Sequence, residues 1–159
     1  MNIARLEAHN FRNLQPLSFT PGPRFTVISG QNGQGKTNLL EAIYVVAALR
    51  SFRTSKLADC IAHGQPAAKL AAQVHTGGLD RHYEVTLDEE GRHAKLDSKA
   101  VRPLSKYFGG FNAVMFAPED LLLPRASPSD RRDVLNRSVF HATPAYLGVM
   151  ASYDKTLRS

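Results

Sequence analysis

The chain has 159 residues, of which 43% are hydrophobic and 21% charged, as expected for one soluble globular domain with its own core. Its formal charge of +6 and pI near 9.7 are compatible with a nucleic-acid partner, although many basic proteins bind none. A single cysteine, Cys60, excludes an internal disulfide, and no apolar run reaches membrane-spanning length, so we expect a cytoplasmic protein with no membrane partner.

The first third of the chain is predicted to form two strands and a helix around a glycine-rich loop. Residues 3–8 are predicted to be a strand and residues 11–14 a turn. The apolar, β-branched run at residues 25–29 predicts a buried parallel strand. Residues 36–49 contain no Gly or Pro and carry apolar side chains at helical spacing, which predicts a helix. A strand, a glycine loop and a helix in this order are the context that a P-loop requires.

The loop between the second strand and the helix fits the phosphate-binding pattern G-x-x-x-x-G-K-[ST]. Glycines let the backbone bring N–H groups close to phosphate oxygens, and the helix N-terminus adds partial positive charge. Lys36 is expected to reach the β- and γ-phosphates, and the Thr37 hydroxyl is expected to ligate Mg²⁺. The sequence therefore predicts a site for ATP and Mg²⁺ formed by Gly30, Gln31, Asn32, Gly33, Gln34, Gly35, Lys36 and Thr37.

A basic connector, residues 50–56, follows the predicted helix. Arg50, Arg53 and Lys56 place three positive charges in seven residues. This density fits contacts with DNA phosphates, and a solvated connector that binds no DNA accounts for it equally well. Beyond it, a short helix is predicted at residues 56–62.

The middle of the chain indicates an antiparallel meander. Apolar and polar side chains alternate between residues 70 and 96, with turns at residues 77–78 and 89–91. This period of two is typical of strands with one face exposed to water. Residues 111–116 are apolar enough to predict a further buried strand.

The last part of the chain is predicted to be helical. Ser127 followed by Pro128 is a strong helix start, and residues 143–144, Thr-Pro, repeat the signal for a last helix. We therefore divide the chain into a first lobe at residues 1–116 and the start of an α-helical second lobe at residues 117–159.

The residues that complete ATP hydrolysis are not found in this sequence. An apolar strand ending in Asp-Glu would hold Mg²⁺ and polarise the attacking water, and the nearest candidate, residues 114–120, is interrupted by Pro118. The six histidines are scattered without metal-ligand spacing, so no protein metal site is predicted. We expect an incomplete NTPase in which residues 1–159 do not hydrolyse ATP alone.

Six segments form an ordered set of motifs along the chain: residues 10–13 (Asn-Phe-Arg-Asn), 30–37, 40–44 (Leu-Glu-Ala-Ile-Tyr), 50–53 (Arg-Ser-Phe-Arg), 116–121 (Phe-Ala-Pro-Glu-Asp-Leu) and 127–132 (Ser-Pro-Ser-Asp-Arg-Arg). This set resembles the N-terminal part of proteins of the RecF family, which are bacterial recombination and repair ATPases related to the Rad50 and SMC heads. The resemblance covers essentially the whole chain. In the last segment, Ser127 stands where the family pattern G-x-P-x-x-R-R-x-F-L-D has Gly, and Val-Leu-Asn at residues 134–136 replaces Phe-Leu-Asp.

The resemblance implies an α/β P-loop NTPase fold like that of ABC and SMC heads. The first lobe would contain a parallel core sheet and a flanking antiparallel meander, and the second lobe would be α-helical. The family resemblance further implies a weak, DNA-dependent ATPase that binds DNA at gaps as an ATP-dependent homodimer. It implies RecR and RecO as partners, with roles in recombinase loading, replication restart and SOS induction. The Walker B, signature and switch residues of the family are not in this chain.

The resemblance also draws attention to three further residues. Arg12 and Asn13 resemble a family element near the nucleotide, where Arg12 would contact phosphate or base; a solvated turn is the alternative. Asn32 stands where transporter ATPases usually carry Ser, and it is expected to contact the γ-phosphate unless it serves only the turn.

Two other classes of protein stay open as alternatives. One is a P-loop kinase or other phosphotransferase, and the other is a different ABC-type ATPase of the Rad50 and SMC group. A phosphotransferase would need a lid with converging arginines, and the meander at residues 69–97 makes a poor lid. ATP turnover stimulated by DNA rather than by a metabolite would separate the first alternative from a RecF-like protein.

Overall fold

The computed structural model describes residues 1–117, 120–121, 127–143 and 146–158. They form two compact units, Met1–Ala113 and Val114–Ser159. Within the described ranges, none of the helices has the length and apolar character that crossing a membrane requires. Some residues of the motifs discussed in the sequence analysis lie outside these ranges, namely Pro118, Glu119 and Pro144.

The first unit is built on a six-stranded sheet with the order β2-β1-β3-β4-β5-β6. Its strands are β1 (Asn2–His9), β2 (Leu17–Phe19), β3 (Ala68–Thr76), β4 (Leu79–Asp88), β5 (Gly91–Leu96) and β6 (Lys99–Ala100). All the pairings between these strands are antiparallel. Gly77 and Gly78, at φ 58° and 77°, make the tight turn between β3 and β4 that side chains with a Cβ would disfavour. The predicted first strand and the predicted meander are both confirmed.

Helix α1 (Lys36–Ala48) packs against β3 and β4 on one face of this sheet. Alternation along the strands directs one set of side chains to this face, and the helical period places the apolar stripe of α1 opposite them. The main buried side chains of this core are Leu6, Ala42, Val45, Val46, Leu70, Val74, Tyr83, Val85 and Leu87. Each Leu or Val buried in this way contributes about 1.5–3 kcal/mol, so the core holds α1 firmly on the sheet.

The C-terminal end of α1 is closed by side chains from later in the chain. Helix geometry leaves the last carbonyl groups without intrahelical donors. The buried Tyr107 hydroxyl donates to the Val46 carbonyl at 2.7 Å, and Arg92 Nη1 donates to the Leu49 carbonyl at 3.1 Å. Tyr107 also packs edge-on against Tyr83, with ring centroids 5.2 Å apart. These contacts fix the C-terminal end of α1 in the same core.

The predicted parallel strand at residues 25–29 is not formed. Residues 25–30 have no regular secondary structure, and the Phe25 and Val27 side chains are 84% and 91% exposed. A parallel strand is apolar because neighbours cover both of its faces. The six strands pair among themselves, so the described residues contain no parallel core sheet that could cover Phe25 and Val27.

The predicted buried strand at residues 111–116 is also not formed. Phe111 is buried against Tyr83, but residues 112–117 have no regular secondary structure, and Val114 is 94% exposed. An apolar run becomes a strand only where a sheet edge is available to pair with it. The short helix predicted at residues 56–62 is a single 3-10 turn, Leu57–Cys60.

The second unit contains the two predicted helices. Helix α2 (Pro128–Ala142) starts directly after Ser127, whose carbonyl accepts the Arg131 N–H at 3.1 Å. Helix α3 (Tyr146–Arg158) follows, and the Tyr146 hydroxyl donates to Asn136 Oδ1 of α2 at 3.0 Å. The helical character of this part is confirmed, and the lobe boundary at residue 116 stays a prediction.

We predict that Tyr107→Phe destabilises the protein by about 1–2 kcal/mol, because it leaves the buried Val46 carbonyl without its donor. The free energy of unfolding, measured by urea denaturation of the full-length protein, checks this. Tyr153→Phe is the control, since the Tyr153 side chain is 62% exposed, and it should change stability by less than about 0.5 kcal/mol. Equal stability of the two variants would contradict the capping role of Tyr107.

Candidate nucleotide-binding site

Residues 30–37 form a loop that ends at the first turn of α1 and packs closely against the turn at residues 11–14. Gly35, the N-cap of α1, has φ 91°, a conformation that favours glycine. A Cβ at this position would lie 2.7 Å from Leu14 Cδ2 and 3.1 Å from Asn13 Oδ1. Glycine is therefore required at position 35 both for the backbone turn and for the approach of the neighbouring segment.

Side chains of the loop itself hold its beginning in place. The Lys36 ammonium donates to the carbonyls of Gly30 at 2.8 Å and of Gln31 at 2.6 Å. The Gln34 amide oxygen accepts the N–H of Gln31 at 2.9 Å. An ammonium group has three protons, so Lys36 keeps one donor for a further acceptor while its charge stays at the loop.

The N-terminus of α1 opens into a cleft of about 280 Å³. The first N–H groups of any α-helix lack intrahelical acceptors and carry partial positive charge. The first turn of α1, which is described in full, has no acidic side chain to offset that charge. Amide groups, two cationic side chains and a hydroxyl line the cleft, which suits an anion such as a phosphate group. The lining residues are Asn13, Asn32, Gly33, Gly35, Lys36, Thr37, Asn38 and Arg53.

Thr37 is the residue of this cleft that could hold a metal ion. Its hydroxyl is the kind of oxygen donor that Mg²⁺ prefers, and it follows Lys36 at the start of the helix. This position fits an ion that is carried by the phosphates of a nucleotide. Among the described residues, no three His, Cys, Asp or Glu side chains come together as a metal-binding group.

A buried carboxylate, Glu41 on α1, organises the polar side chains beneath the cleft. Arg12 donates to it from Nε at 3.0 Å and from Nη2 at 2.7 Å. The Ser51 hydroxyl donates at 2.5 Å, Arg53 Nη1 at 3.3 Å and the Cys60 thiol at 3.7 Å. Glu41 is completely inaccessible to solvent, so its charge is balanced by these donors rather than by water.

The pKa values of Glu41, Arg12 and Cys60 are shifted by the contacts among these side chains and by burial. Burial acts to raise the pKa of Glu41, but the hydrogen bonds from Arg12 and Ser51 and the charges of Arg12 and Arg53 outweigh it, so the pKa is lowered. The hydrogen bond to Glu41 raises the pKa of Arg12. Burial, with the negative charge of Glu41, raises the pKa of Cys60 to about 11, so this cysteine is a protonated thiol at neutral pH.

The structure puts the two predicted residues of the 11–14 turn in different surroundings. Arg12 directs its guanidinium to Glu41 and, through Nη1, to the Asp59 carbonyl at 2.7 Å. Asn13 lines the cleft, and its Nδ2 donates to the Gly33 carbonyl at 2.6 Å. Arg12 therefore anchors the turn through a buried charge, while Asn13 contacts the loop directly.

The three basic residues of the connector are also separated. Arg53 lines the cleft, where Nη1 donates to Asn38 Oδ1 at 2.7 Å as well as to Glu41. Arg50 and Lys56 do not line the cleft, and all three residues are exposed to solvent. Residues 50–56 are held by the buried Ser51, whose hydroxyl accepts the N–H groups of Arg53 at 2.9 Å and of Thr54 at 3.2 Å. The DNA contacts of these residues stay a prediction.

Glu41 and Asn38 are functional candidates that the sequence reasoning missed. A signal was available, because Glu41 lies four residues before Val45 and next to Ala42, on the apolar stripe of the helix. An acid on such a stripe needs a buried cation, and arginines occur in both flanking segments. Asn38, one turn before Ala42 at the start of the helix, carried no comparable signal.

Comparison with known proteins identifies the family. The RecF/RecN/SMC N terminal domain matches residues 2–108, which include the loop and all six strands. The chain belongs to this family. The sheet with its packed helix is therefore the core of a RecF/RecN/SMC N-terminal domain, and the loop at residues 30–37 lies within the matched range.

Individual relatives agree with this assignment. The DNA replication and repair protein RecF of Anaeromyxobacter sp. (strain Fw109-5) is 43% identical over 159 residues, which are 100% of this chain and 43% of that protein. The solved structure of the recombination mediator protein RecF with ATP, in the RecFOR pathway, has a TM-score of 0.91 at 27% identity and covers 98% of this chain and 43% of that one. The SMC head domain from Thermotoga maritima has a TM-score of 0.53 at 24% identity, covering 64% of this chain and 39% of that one.

These similarities confirm the predicted resemblance to RecF and the P-loop NTPase fold of the ABC and SMC-head type. The solved RecF–ATP structure and the SMC head share that fold with this chain over most of the described residues. The chain spans less than half the length of the curated relatives it matches.

We predict that Glu41→Gln destabilises the protein by about 3 kcal/mol, because two guanidinium groups lose the buried charge that balances them. Urea denaturation of the full-length protein measures the change. The matched control is Glu7→Gln, which removes an exposed ion pair with Arg5 at 2.9 Å and should cost less than about 1 kcal/mol. A Glu41→Gln protein as stable as Glu7→Gln would contradict the role of Glu41.

The Glu41→Gln variant should also differ from the wild type in how its stability responds to acid. Because the folded-state pKa of Glu41 is below its ordinary value of 4.5, its carboxylate stabilises the folded protein above that pH. The contribution is lost as the pH falls through the lowered pKa. Glu41→Gln should therefore show a shallower loss of stability below pH 4.5 than the wild type, as measured by urea denaturation at several pH values, and equal slopes would contradict this.

Proposed function

We propose that the full-length protein is an ATP-binding DNA repair and recombination protein of the RecF type, and that residues 30–37 hold the phosphates of the nucleotide. The observation that supports this best is the geometry of Lys36, which bridges two loop carbonyls at the open N-terminus of α1 and keeps a donor for a phosphate. The RecF relative solved with ATP has the same fold over 98% of this chain.

Each residue of the proposed site has a role that follows from its chemistry. Lys36 contributes a positive charge to the β- and γ-phosphates, and the first N–H groups of α1 donate to their oxygens. Asn32, which lines the cleft, offers an amide to the γ-phosphate. Mg²⁺, when bound, would neutralise phosphate charge, with the Thr37 hydroxyl as its protein ligand.

The wider function rests on the relatives. They are named as DNA replication and repair proteins, and the solved relative acts in the RecFOR pathway. We propose that this protein, too, binds DNA at gaps as an ATP-dependent homodimer in the cytoplasm, with RecR and RecO as partners. Recombinase loading, replication restart and SOS induction would be its cellular roles. Residues 1–159 would bind ATP without hydrolysing it alone, because hydrolysis also needs a Mg²⁺-organising acid and a group that orients water.

The phosphotransferase alternative has less support. A lid must be free to close over the nucleotide. The meander instead packs its apolar face against α1 through side chains such as Leu70 and Val85, both 2% exposed or less. ATP turnover by the full-length protein that rises with DNA and not with small-molecule acceptors would exclude this alternative.

We predict that Lys36→Ala weakens ATP binding by about 30- to 150-fold, which corresponds to losing one charge-assisted contact worth about 2–3 kcal/mol. Isothermal titration of the full-length protein with ATP and Mg²⁺ measures the affinity. Lys69→Ala, an exposed lysine of β3, is the control and should bind ATP like the wild type. Unchanged affinity in Lys36→Ala would refute the assignment of the loop.

The connector prediction can now be tested on Arg50 and Lys56, the two basic residues of the connector that do not line the cleft. Replacing Arg50 and Lys56 by Gln should reduce the slope of log affinity against log salt by about 0.9 for each lost duplex contact. Arg53 is left intact, because it is tied to the cleft through Asn38. The control replaces Lys69 and Lys95, two exposed lysines on the face of the sheet away from α1. An equal slope in the connector variant and the wild type would show that DNA contacts lie elsewhere.

A further inference from the structure

A chain of polar side chains connects Arg53 to the backbone of the loop. Arg53 Nη1 donates to Asn38 Oδ1 at 2.7 Å, and Asn38 Nδ2 donates to Asn13 Oδ1 at 2.6 Å. Asn13 Nδ2 then donates to the Gly33 carbonyl at 2.6 Å. Arg53, Asn38, Asn13 and Gly33 all line the cleft of the candidate nucleotide site.

The direction of this chain is determined by the arginine. A guanidinium can only donate, so Asn38 must present its oxygen to Arg53 and its NH₂ group to Asn13. Asn13 must then present its oxygen to Asn38, which leaves its own NH₂ group for the Gly33 carbonyl. The orientation of each amide is therefore set by the one before it.

Both ends of the chain are anchored to the core by Glu41. The Arg53 Nη1 group that donates to Asn38 also donates to Glu41 Oε2, at 3.3 Å. The turn that carries Asn13 is held by Arg12, through its side-chain contacts with Glu41 and the hydrogen bond from its N–H to the Cys60 carbonyl at 2.8 Å. A buried, balanced charge thus supports two surface amides that would otherwise be free to rotate.

The hydrogen bond from Asn13 to the Gly33 carbonyl constrains the backbone conformation of the loop. A peptide unit is planar and trans, so fixing the Gly33 carbonyl also fixes the N–H of Gln34 in the opposite direction. Gly33 has φ 83°, and a Cβ built on it would meet no atom within 4 Å, so little else contacts this glycine from that side. Asn13 supplies the restraint that the glycine itself lacks.

We propose that Asn13 and Asn38 are positioning residues of the nucleotide site, forming a directional hydrogen-bond relay from Arg53 that holds the loop in its phosphate-binding shape. The inference rests on the proposed nucleotide site and adds residues that act through the loop. The relay orders the loop before nucleotide arrives, so that less conformational entropy is lost on binding.

The test uses the full-length protein with ADP and ATP as probes, in the variants Asn13→Ala, Asn38→Ala and the double variant. We expect Asn13→Ala to weaken both nucleotides by about ten-fold, the size expected for one lost hydrogen bond. Because Asn38 acts through Asn13, the double variant should bind like Asn13→Ala alone. Losses that add up, or that affect ATP and not ADP, would mean direct contact with phosphate and would overturn the relay.

Hydrogen exchange of the loop, measured without nucleotide, gives a second test. Substituting a residue that contacts only the bound nucleotide would not change this exchange rate. The peptide containing residues 30–37 should exchange faster in Asn13→Ala than in the wild type, with the midpoint of global unfolding unchanged within about 2 °C, as for surface substitutions. Asn2→Ala, an exposed asparagine of β1, should leave both measurements unchanged. Loop exchange equal to that of the wild type, or a large fall in the midpoint, would overturn the inference.

The outcome for Lys36→Ala separates this inference from the proposed function. If Lys36→Ala binds ATP much more weakly than the wild type and Asn13→Ala binds it like the wild type, the nucleotide site stands and the relay is refuted. If the wild type binds neither ADP nor ATP, the proposed function fails, and the relay fails with it.

Discussion

The charge of Glu41, buried in the middle of α1, is the constraint on which the candidate nucleotide site depends. A carboxylate removed from water needs positive charge and hydrogen-bond donors, and Arg12, Arg53 and Ser51 provide them. These donors come from the turn after β1 and from the connector after α1, which are far apart in sequence. Satisfying one buried charge therefore brings together the two segments that form the walls of the cleft around the loop.

The C-terminal end of α1 has carbonyl groups that need donors, whereas its N-terminal end has N–H groups that need acceptors. The structure supplies protein partners differently at the two ends. At its C-terminal end, Tyr107 and Arg92 donate to backbone carbonyls, so that end is closed by protein groups. At its N-terminal end, Gly35 caps the helix without a side-chain hydrogen bond, and the first turn has no acid. A helix held rigidly in the core at one end can present its other end to an anion with little loss of order on binding.

The features that could be predicted from the sequence are those that depend on neighbouring residues. The loop follows from the spacing of glycines, lysine and threonine, α1 follows from a period of 3.6, and the meander follows from a period of two with glycine turns. The start of α2 follows from Ser127 and Pro128. In each case the physical cause, a dihedral preference or an alternation of faces, acts over a few residues and is visible in the chain itself.

The sequence by itself determined the glycine-rich loop, the helix that follows it and the chemical character of the loop residues. Tertiary structure alone decided that Arg12 pairs with Glu41 and that Arg53, unlike Arg50 and Lys56, lines the cleft. It also decided that the Asn13 side chain donates a hydrogen bond to the loop. It also decided that residues 25–29 and 111–116 do not form strands. The physical reason is the same throughout, because both outcomes depend on residues far away in the sequence. A buried charge is stabilised by donors from distant segments, and a strand forms only where another strand is available to pair with it.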